Sequence, residues 1–381
     1  MSDRARRLLL FVLMLCWIPL PALGQLRVSA NQMVETWQHE WTRTDFSKKS
    51  VDLSEIMSGG PPRDGIPPID NPKFVAPSEA AQWLDAEEPV LVYRHGGQVK
   101  AYPLQILIWH EIANDTVGGK PVVLTFCPLC NSILVFDRNV DGRILDFGTT
   151  GKLRNSDLIM WDRQTESWWQ QLTGEGIVGT YTGTVLTFLP SALVSFATFR
   201  ENFPKGMVLS KETGHNRDYG RNPYVGYDNM RNTPFLMRSP VDGRLPAMER
   251  VVAVEFGGKA RAYPFRELMK AGLVNDTLGS TSYVVIFRKG TRSALDGKRI
   301  GDSKDVGTAV VYSRSLDGRR LNFERKGGAV VDRETGSRWN ILGRAVAGPL
   351  RGKHLKTLVH AQHFAFAWLA FRPQSEIWKA P

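Results

Sequence analysis

Val122-Val-Leu-Thr-Phe-Cys127-Pro-Leu-Cys130-Asn-Ser-Ile-Leu-Val-Phe136 places two apolar, β-branched runs on either side of a short turn. Such runs, bounded by turn-forming residues, predict a β-hairpin. Pro128 fixes one backbone angle in the turn, and Asn131 is among the few non-glycine residues that readily take the left-handed conformation. Two thiols at Cys-x-x-Cys spacing then converge on one point, as they do in metal knuckles. Backbone amides inside such a turn can donate to the sulfurs and stabilise their charge.

Working outward, the framework around this hairpin recurs. Gly96-Gly97, Ala101-Tyr102-Pro103 and Asn114-Asp115-Thr116 return as Gly257-Gly258, Ala262-Tyr263-Pro264 and Asn275-Asp276-Thr277, all at one offset of 161 residues. Farther on, Asp141-Gly142-Arg143 returns as Asp317-Gly318-Arg319, and Asp162-Arg163-Gln-Thr165 as Asp332-Arg333-Glu-Thr335. Recurrence in fixed order is the signature of a domain used twice. Each copy predicts a strand, a Gly-Gly turn and a second strand ending at Tyr-Pro. A short helix follows, over 104–112 and 265–273, stopping before Asn-Asp-Thr. A long hairpin, an Asp-Gly turn and a strand leading to Asp-Arg-x-Thr complete it. The expected fold class is strand-rich α+β, two tandem diverged repeats of one hairpin-containing domain behind an N-terminal extension.

The bounds read as a signal peptide over 1–24, an extension over 25–75, the first repeat over 76–200, a connector over 201–248 and the second repeat over 249–381. Arg4, Arg6 and Arg7, an apolar run over 8–20 and Ala22-Leu23-Gly24 make the secretory pattern, so the mature chain is expected to be periplasmic or extracellular. Cys16 lies inside the apolar run behind Met14 and Leu15, where a lipoprotein would need small residues. No later stretch has the apolar length of a membrane span. Cleavage would remove three arginines and one aspartate, taking the formal charge from +11 to +9. The positive charge is spread without a dominant cluster, so nucleic acid is not indicated and a mixed, solvated surface is. The run 364–371 reads as a terminal helix on the second repeat.

The two copies differ where chemistry resides. His110 and Glu111 face Ala271 and Gly272, and Cys127 and Cys130 face Arg288 and Thr291. A metal site built on Cys127 and Cys130 needs further ligands. His110 is the expected third, and His95, His360, His363 and Glu111 compete for a fourth position. Thiolate with imidazole suits zinc, copper(I) or iron. The rival readings are a disulfide, which an exported compartment favours, a redox-active pair, and inert thiols. Against a thioredoxin-like role, the residues after Cys130 read as a strand, so no helix N-terminus lowers a thiol's pKa. Glu111, with His110, could move protons. Arg154, Asn155 and Asp157 could line a pocket. Trp161, Trp168 and Trp169 could form a platform for a flat ligand or fill the core. Asp162-Arg163 and Asp332-Arg333, present in both copies, read as turn and ion-pair structure.

Several of these stretches carry a family resemblance: Gly59-Gly-Pro-Pro-Arg-Asp-Gly-Ile-Pro67, Asn71-Pro-Lys-Phe-Val75, Trp109-His-Glu-Ile-Ala-Asn-Asp-Thr-Val-Gly-Gly119, Thr125-Phe-Cys-Pro-Leu-Cys-Asn-Ser132, Asn155-Ser-Asp157 and Arg217-Asp-Tyr-Gly220. The mature chain thereby resembles the exported bacterial and archaeal domain-of-unknown-function family 3179. The resemblance implies the domain extent and export, and no activity. Three functions stay open: a metal-dependent enzyme with Glu111 as proton carrier, a non-catalytic envelope module with a structural Cys127–Cys130 disulfide and a small-molecule or envelope ligand, and a thiol–disulfide oxidoreductase.

Overall fold

The computed structural model describes residues 30–380, so the expected signal peptide and Cys16 lie outside the described residues. The chain divides into residues 1–40, of which the helix Ala30–Glu40 is described, and residues 41–381, which carry the rest of the fold. The described structure is 39% strand and 13% helix, so the fold is strand-rich α+β. No helix among the described residues is long and apolar enough to cross a bilayer.

In the first half, a mixed sheet runs in the order Ala192–Ser195, Pro89–His95, Gln98–Pro103, Met207–Leu209 and Phe74–Val75. Residues on both sides of the bounds expected at 75 and 200 join it. In the second half, the order is Ala361–Phe364, Arg250–Phe256, Lys259–Pro264 and Glu376–Ile377. Each sheet is followed by a three-stranded one: Ile112–Val117, Lys120–Cys127 and Ser132–Asp137 in the first half, and Leu273–Leu278, Thr281–Arg288 and Thr308–Ser313 in the second. The halves share their interior. One buried cluster joins Ile106 and Phe126 to Val251 and Phe366, and another joins Val92 and Phe196 to Val284 and Tyr312.

The recurring sequence elements are clamps. Tyr102 donates its hydroxyl to Asp115 at 2.5 Å, and Tyr263 to Asp276 at 2.6 Å. Asn114 and Asn275 each bridge both backbone groups of one phenylalanine, Phe147 and Phe323, at 2.7–3.0 Å. Asp162 accepts from the Thr165 amide and the Trp169 indole, as Asp332 does from Thr335 and Trp339. Buried polar groups tied in this way fix one packing among the alternatives.

Two expectations are corrected. The helices are Leu104–His110 and Phe265–Ala271, two residues shorter than expected. The next residues, Glu111 and Gly272, take positive φ of 57° and 72° and turn the chain into a strand. Asn-Asp-Thr therefore lies within the strands Ile112–Val117 and Leu273–Leu278 rather than in a helix stop. Of the two readings open for Trp161, Trp168 and Trp169, the structure has the core one, each being at most 3% exposed. Trp168 meets Trp41 and Phe46 edge to face, and the Arg63 guanidinium covers Trp161 at 3.6 Å.

The Pro/Gly segment is a strap. Gly59 and Gly151 are joined by a 2.8 Å backbone hydrogen bond, and Asp64 accepts from the Thr149 amide and the Trp161 indole. Gly151 sits at φ +70°, and a Cβ there would stand 1.9 Å from the Pro61 carbonyl oxygen. Glycine is needed because strap and hairpin backbones touch.

Candidate metal centre

The turn between Lys120–Cys127 and Ser132–Asp137 closes on the pair Cys127 and Ser132. Asn131 takes φ 48°, the left-handed geometry such a turn requires. Phe364, from the second half, donates its amide to the Cys130 carbonyl at 2.8 Å and pins the turn from the other side. Both cysteines are free and buried.

A second hairpin brings the third group. In the first half its arms are Phe147–Arg154 and Asp157–Asp162, whereas in the second half they are only Phe323–Lys326 and Ala329–Asp332. The longer arms extend past the clamps at Phe147 and Asp162 and carry the tip, Asn155 and Ser156 at φ 50° and 64°, over the cysteine turn. Ser156 places its carbonyl 3.8 Å from Cys127 Sγ, and Asp157 accepts from Cys130 Sγ at 2.9 Å. The sulfurs of Cys127 and Cys130 and a carboxylate oxygen of Asp157 all lie within 4.8 Å of one another.

Behind Asp157, the Gln170 side chain and the Leu172 amide donate to its other oxygen at 2.6 and 2.9 Å. Groups of this kind orient a ligand. The surroundings also hold polar atoms that are buried and find no hydrogen-bond partner among the described residues: Asn131 Nδ2, Ser132 Oγ, Gln170 Oε1 and Gln171 Oε1. Buried orphans are uncommon, and a group of them at one place points to an unseen water or ion.

Electrostatics point the same way. Burial pushes both thiols up, with Asp157 adding to each. Burial raises Asp157 to about 6, against the hydrogen bonds it accepts. Glu111 is raised to about 8, first by burial and then by Asp157. Four acidic groups thus converge where water is scarce, and a bound cation would relieve all of them. Glu111 occupies the left-handed position that Gly272 fills in the second half, where a side chain would run into Arg325. A non-glycine residue kept at positive φ where glycine serves equally well is a sign of function. Glu111 also lines a cavity of about 110 Å³ together with Leu129, Leu158, Tyr224 and the strap residues Pro61 and Ile66.

The other expected site residues lie elsewhere. His110, the expected third ligand, is not among the three groups that converge. Its Nδ1 meets the Pro67 carbonyl at 2.8 Å, so Nδ1 carries the proton and Nε2 accepts from the Tyr219 hydroxyl at 2.6 Å. Burial holds it down to about 4, so it is neutral. Both ring nitrogens are engaged, and His110 clamps strap to connector. His95 is exposed at the end of its strand. His360 bonds the Leu358 carbonyl, and His363 stacks on Trp368. Arg154 pairs with Glu55 at 2.6 Å, and Asn155 accepts from Ser239 at 2.8 Å. Asp157 alone among these joins the cysteines. Gln170, Gln171, Tyr219 and Tyr224 were not singled out by sequence; Tyr219 lay in a quoted stretch, while the glutamines follow buried tryptophans and carry no local signal.

Two thiolates and a carboxylate form a donor set suited to zinc, with one position left for a water or a substrate atom. A search of curated proteins and one of solved structures each return no match. A family model, described as a protein of unknown function, matches residues 63–375 and so takes in part of the strap, both cysteines, Asp157 and nearly all of the second half. The chain belongs to that family, DUF3179.

Proposed function

We propose that Cys127, Cys130 and Asp157 hold one transition metal ion, zinc on the chemistry of the donors, in an open site whose proton carrier is Glu111. The observation that carries the reading is the convergence of the three ligand atoms within 4.8 Å in a buried place ringed by unpartnered polar atoms. Such an ion supplies a Lewis acid and lowers the pKa of a bound water. The chain's own part is to position and to transfer protons. Gln170 and Leu172 fix the Asp157 carboxylate, and Cys130 is fixed by Phe364. Glu111, buried beside the three groups and lining the cavity, is the group placed to take a proton and return it. The cavity beside Glu111, about 110 Å³, is of a size for a small substrate.

In the same reading the halves are diverged copies of one domain. The shared order of elements, the paired Tyr–Asp, Asn–Phe and Asp–Thr–Trp clamps and the matched helix ends support this. The second copy serves as scaffold, with Arg325 donating to Phe287 O at the place corresponding to Glu111. Export through cleavage after residue 24 rests on the N-terminal charge and apolar pattern, and the N-terminal sequence of the secreted protein tests it.

Elemental mass spectrometry with a free-thiol titration, on mature protein and on a Cys127→Ser/Cys130→Ser variant, tests the metal. Near-stoichiometric metal that disappears in the variant supports the site and names the ion. Absence of metal together with absence of free thiol overturns it in favour of a disulfide. The raised thiol pKa values speak against a thiol–disulfide exchanger, which needs an accessible thiolate.

A further inference from the structure

The second half has a cavity of its own at the place corresponding to the cysteine turn. Leu273 pairs with Ile286 as Ile112 pairs with Thr125, so Arg288 ends its strand where Cys127 ends the matching one. Trp339 pairs with Val330 as Trp169 does with Met160, and Asn340 follows Trp339 as Gln170 follows Trp169. Arg288, Val330, Trp339 and Asn340 line one cavity of about 300 Å³, at the lower end of the usual range for small-molecule sites. In the first half a long hairpin carries Asp157 over the turn. Here the arms end at Lys326 and resume at Ala329, and Gly328 and Ala329 border the cavity instead.

The charge of this cavity is the reverse of that around the cysteines. Among the described residues lining it there is no acidic side chain, while Arg288 and Arg325 bring two guanidiniums. Arg325 is held in place: Nη1 donates to the Gly328 carbonyl at 3.1 Å, and Nη2 to those of Gly272 and Phe287 at 3.3 and 2.6 Å. At least two of its N–H groups remain, and a side chain already fixed loses little freedom on taking a ligand. Arg288 is exposed and has no ion pair or side-chain hydrogen bond among the described residues. Strand alternation puts it on the same face as Ile286, which also lines the cavity. Asn340 turns its Oδ1 to the Leu342 and Arg344 amides and gives one Nδ2 hydrogen to Asn202, which leaves the other.

Two guanidiniums repel a cation, and a neutral ligand leaves both charges unpaired. An anion is therefore the class that fits. Phosphate sites commonly rest on runs of free backbone amides. The strand Thr281–Arg288 is central in its sheet and spends its amides on both neighbours. A carboxylate needs only the guanidinium fork, and the buried Ile286, Val330 and Trp339 suit an apolar body. We propose that this cavity binds a small monocarboxylate, the carboxylate held by Arg288 and Arg325 and the body set against Ile286, Val330 and Trp339. None of the lining residues is a ligand of the proposed metal or borders the Glu111 cavity, so the two readings fail separately.

Isothermal titration of the mature protein with benzoate, benzamide and inorganic phosphate tests it, in a zwitterionic buffer at about 0.15 M ionic strength, where distant surface charges are screened. The expected Kd for benzoate is about 1 mM, as befits so few atoms. Benzamide, of the same shape without the charge, should bind roughly tenfold more weakly or less well still, and phosphate more weakly than benzoate. Arg288→Gln removes an exposed guanidinium that no other side chain uses, and should weaken benzoate by about tenfold with Tm unchanged. Lys289→Gln removes the same charge from the exposed neighbour outside the lining and should change the Kd by less than about twofold. No heat from benzoate up to about 10 mM, ten times the expected Kd, overturns the proposal. So does equal binding of benzamide, tighter binding of phosphate, undiminished binding in Arg288→Gln, or a loss in Lys289→Gln as large as that in Arg288→Gln.

Discussion

Replacing Gly151 by alanine tests whether the strap is part of the site's architecture. Gly151 lies at φ +70°, in the irregular stretch between Thr149 and Lys152 where the long hairpin bends. A Cβ there would come within 1.9 Å of the Pro61 oxygen and 2.9 Å of its carbonyl carbon. These are backbone atoms of a segment held by Gly59, Asp64 and Arg63, so neither partner can yield by rotating a side chain. Left-handed strain on an alanine costs about 1–2 kcal/mol. Displacing the strap also breaks the hydrogen bond between Gly59 and Gly151 and those to Asp64, at about 1 kcal/mol each. The sum is roughly 4–5 kcal/mol, a large part of a typical domain's stability. Gly142 is the control, since it has φ +82° with nothing within 4 Å of its Cβ position. Gly142→Ala should therefore cost the strain alone, about 1–2 kcal/mol. Urea unfolding followed by tryptophan fluorescence measures both. A difference between the two variants below about 1 kcal/mol, less than one of the hydrogen bonds said to be lost, would refute the close approach and the fixed strap with it.

Other perturbations separate the roles assigned to individual side chains. Asp157→Asn keeps the shape while removing a ligand charge, and a direct ligand should cost no less than the ~10-fold in metal affinity typical of the groups behind ligands. Competition with a chromophoric chelator reads this, and unchanged affinity would remove Asp157 from the ligand set. His110→Leu should leave metal content untouched and lower stability by about 1–3 kcal/mol, because its bonds to Pro67 and Tyr219 are lost. Metal lost from a folded His110→Leu protein would restore His110 as a ligand. His363, held at about 3 by burial and then by Arg372, takes up its proton in the unfolded chain first as pH falls. Its contribution is thus whole above about pH 6.5 and is lost on acidification at up to ~1.4 kcal/mol per pH unit until the folded group titrates. Urea midpoints at about pH 6, 5 and 4 should accordingly fall less steeply in His363→Phe than in the parent, and parallel slopes would contradict a buried neutral imidazole.

What the sequence made legible was what is local. The hairpin about the cysteines and the left-handed Asn131 follow from residues within a few positions of one another. The helix end was misjudged because the apolar pattern of 104–112 continues through Ile112, while the backbone reverses hand at Glu111. Asp157 lies beside the two cysteine sulfurs, whereas His110 is held by Pro67 and Tyr219. Asp157 was legible as a polar residue in a stretch with no counterpart in the second half. Its role depends on two hairpins crossing, and no local pattern encodes a crossing. The glutamines behind it stand in a run with two buried tryptophans, where apolar neighbours conceal a polar site.

Comparison of the halves explains why the site can sit where it does without undoing the fold. The clamps that both halves share involve Tyr102, Asp115, Asn114 and Asp162 in the first, and none of these touches the three ligand atoms. The ligand atoms lie beyond the clamps, on a turn and on the tip of an arm that is longer by several residues. Stability and chemistry are therefore carried by different parts of one hairpin. The long arm can bring a charged group over the cysteine turn because its base is already fixed by Asn114 and Asp162. Its tip, at positive φ in Asn155 and Ser156, is free to take the conformation that the ligands need. The cost appears where this reasoning places it, in the raised Glu111 and Asp157 carboxyls and the unpartnered amides around them. A cation bound between Cys127, Cys130 and Asp157 removes much of that cost, so metal loading and stability should rise together.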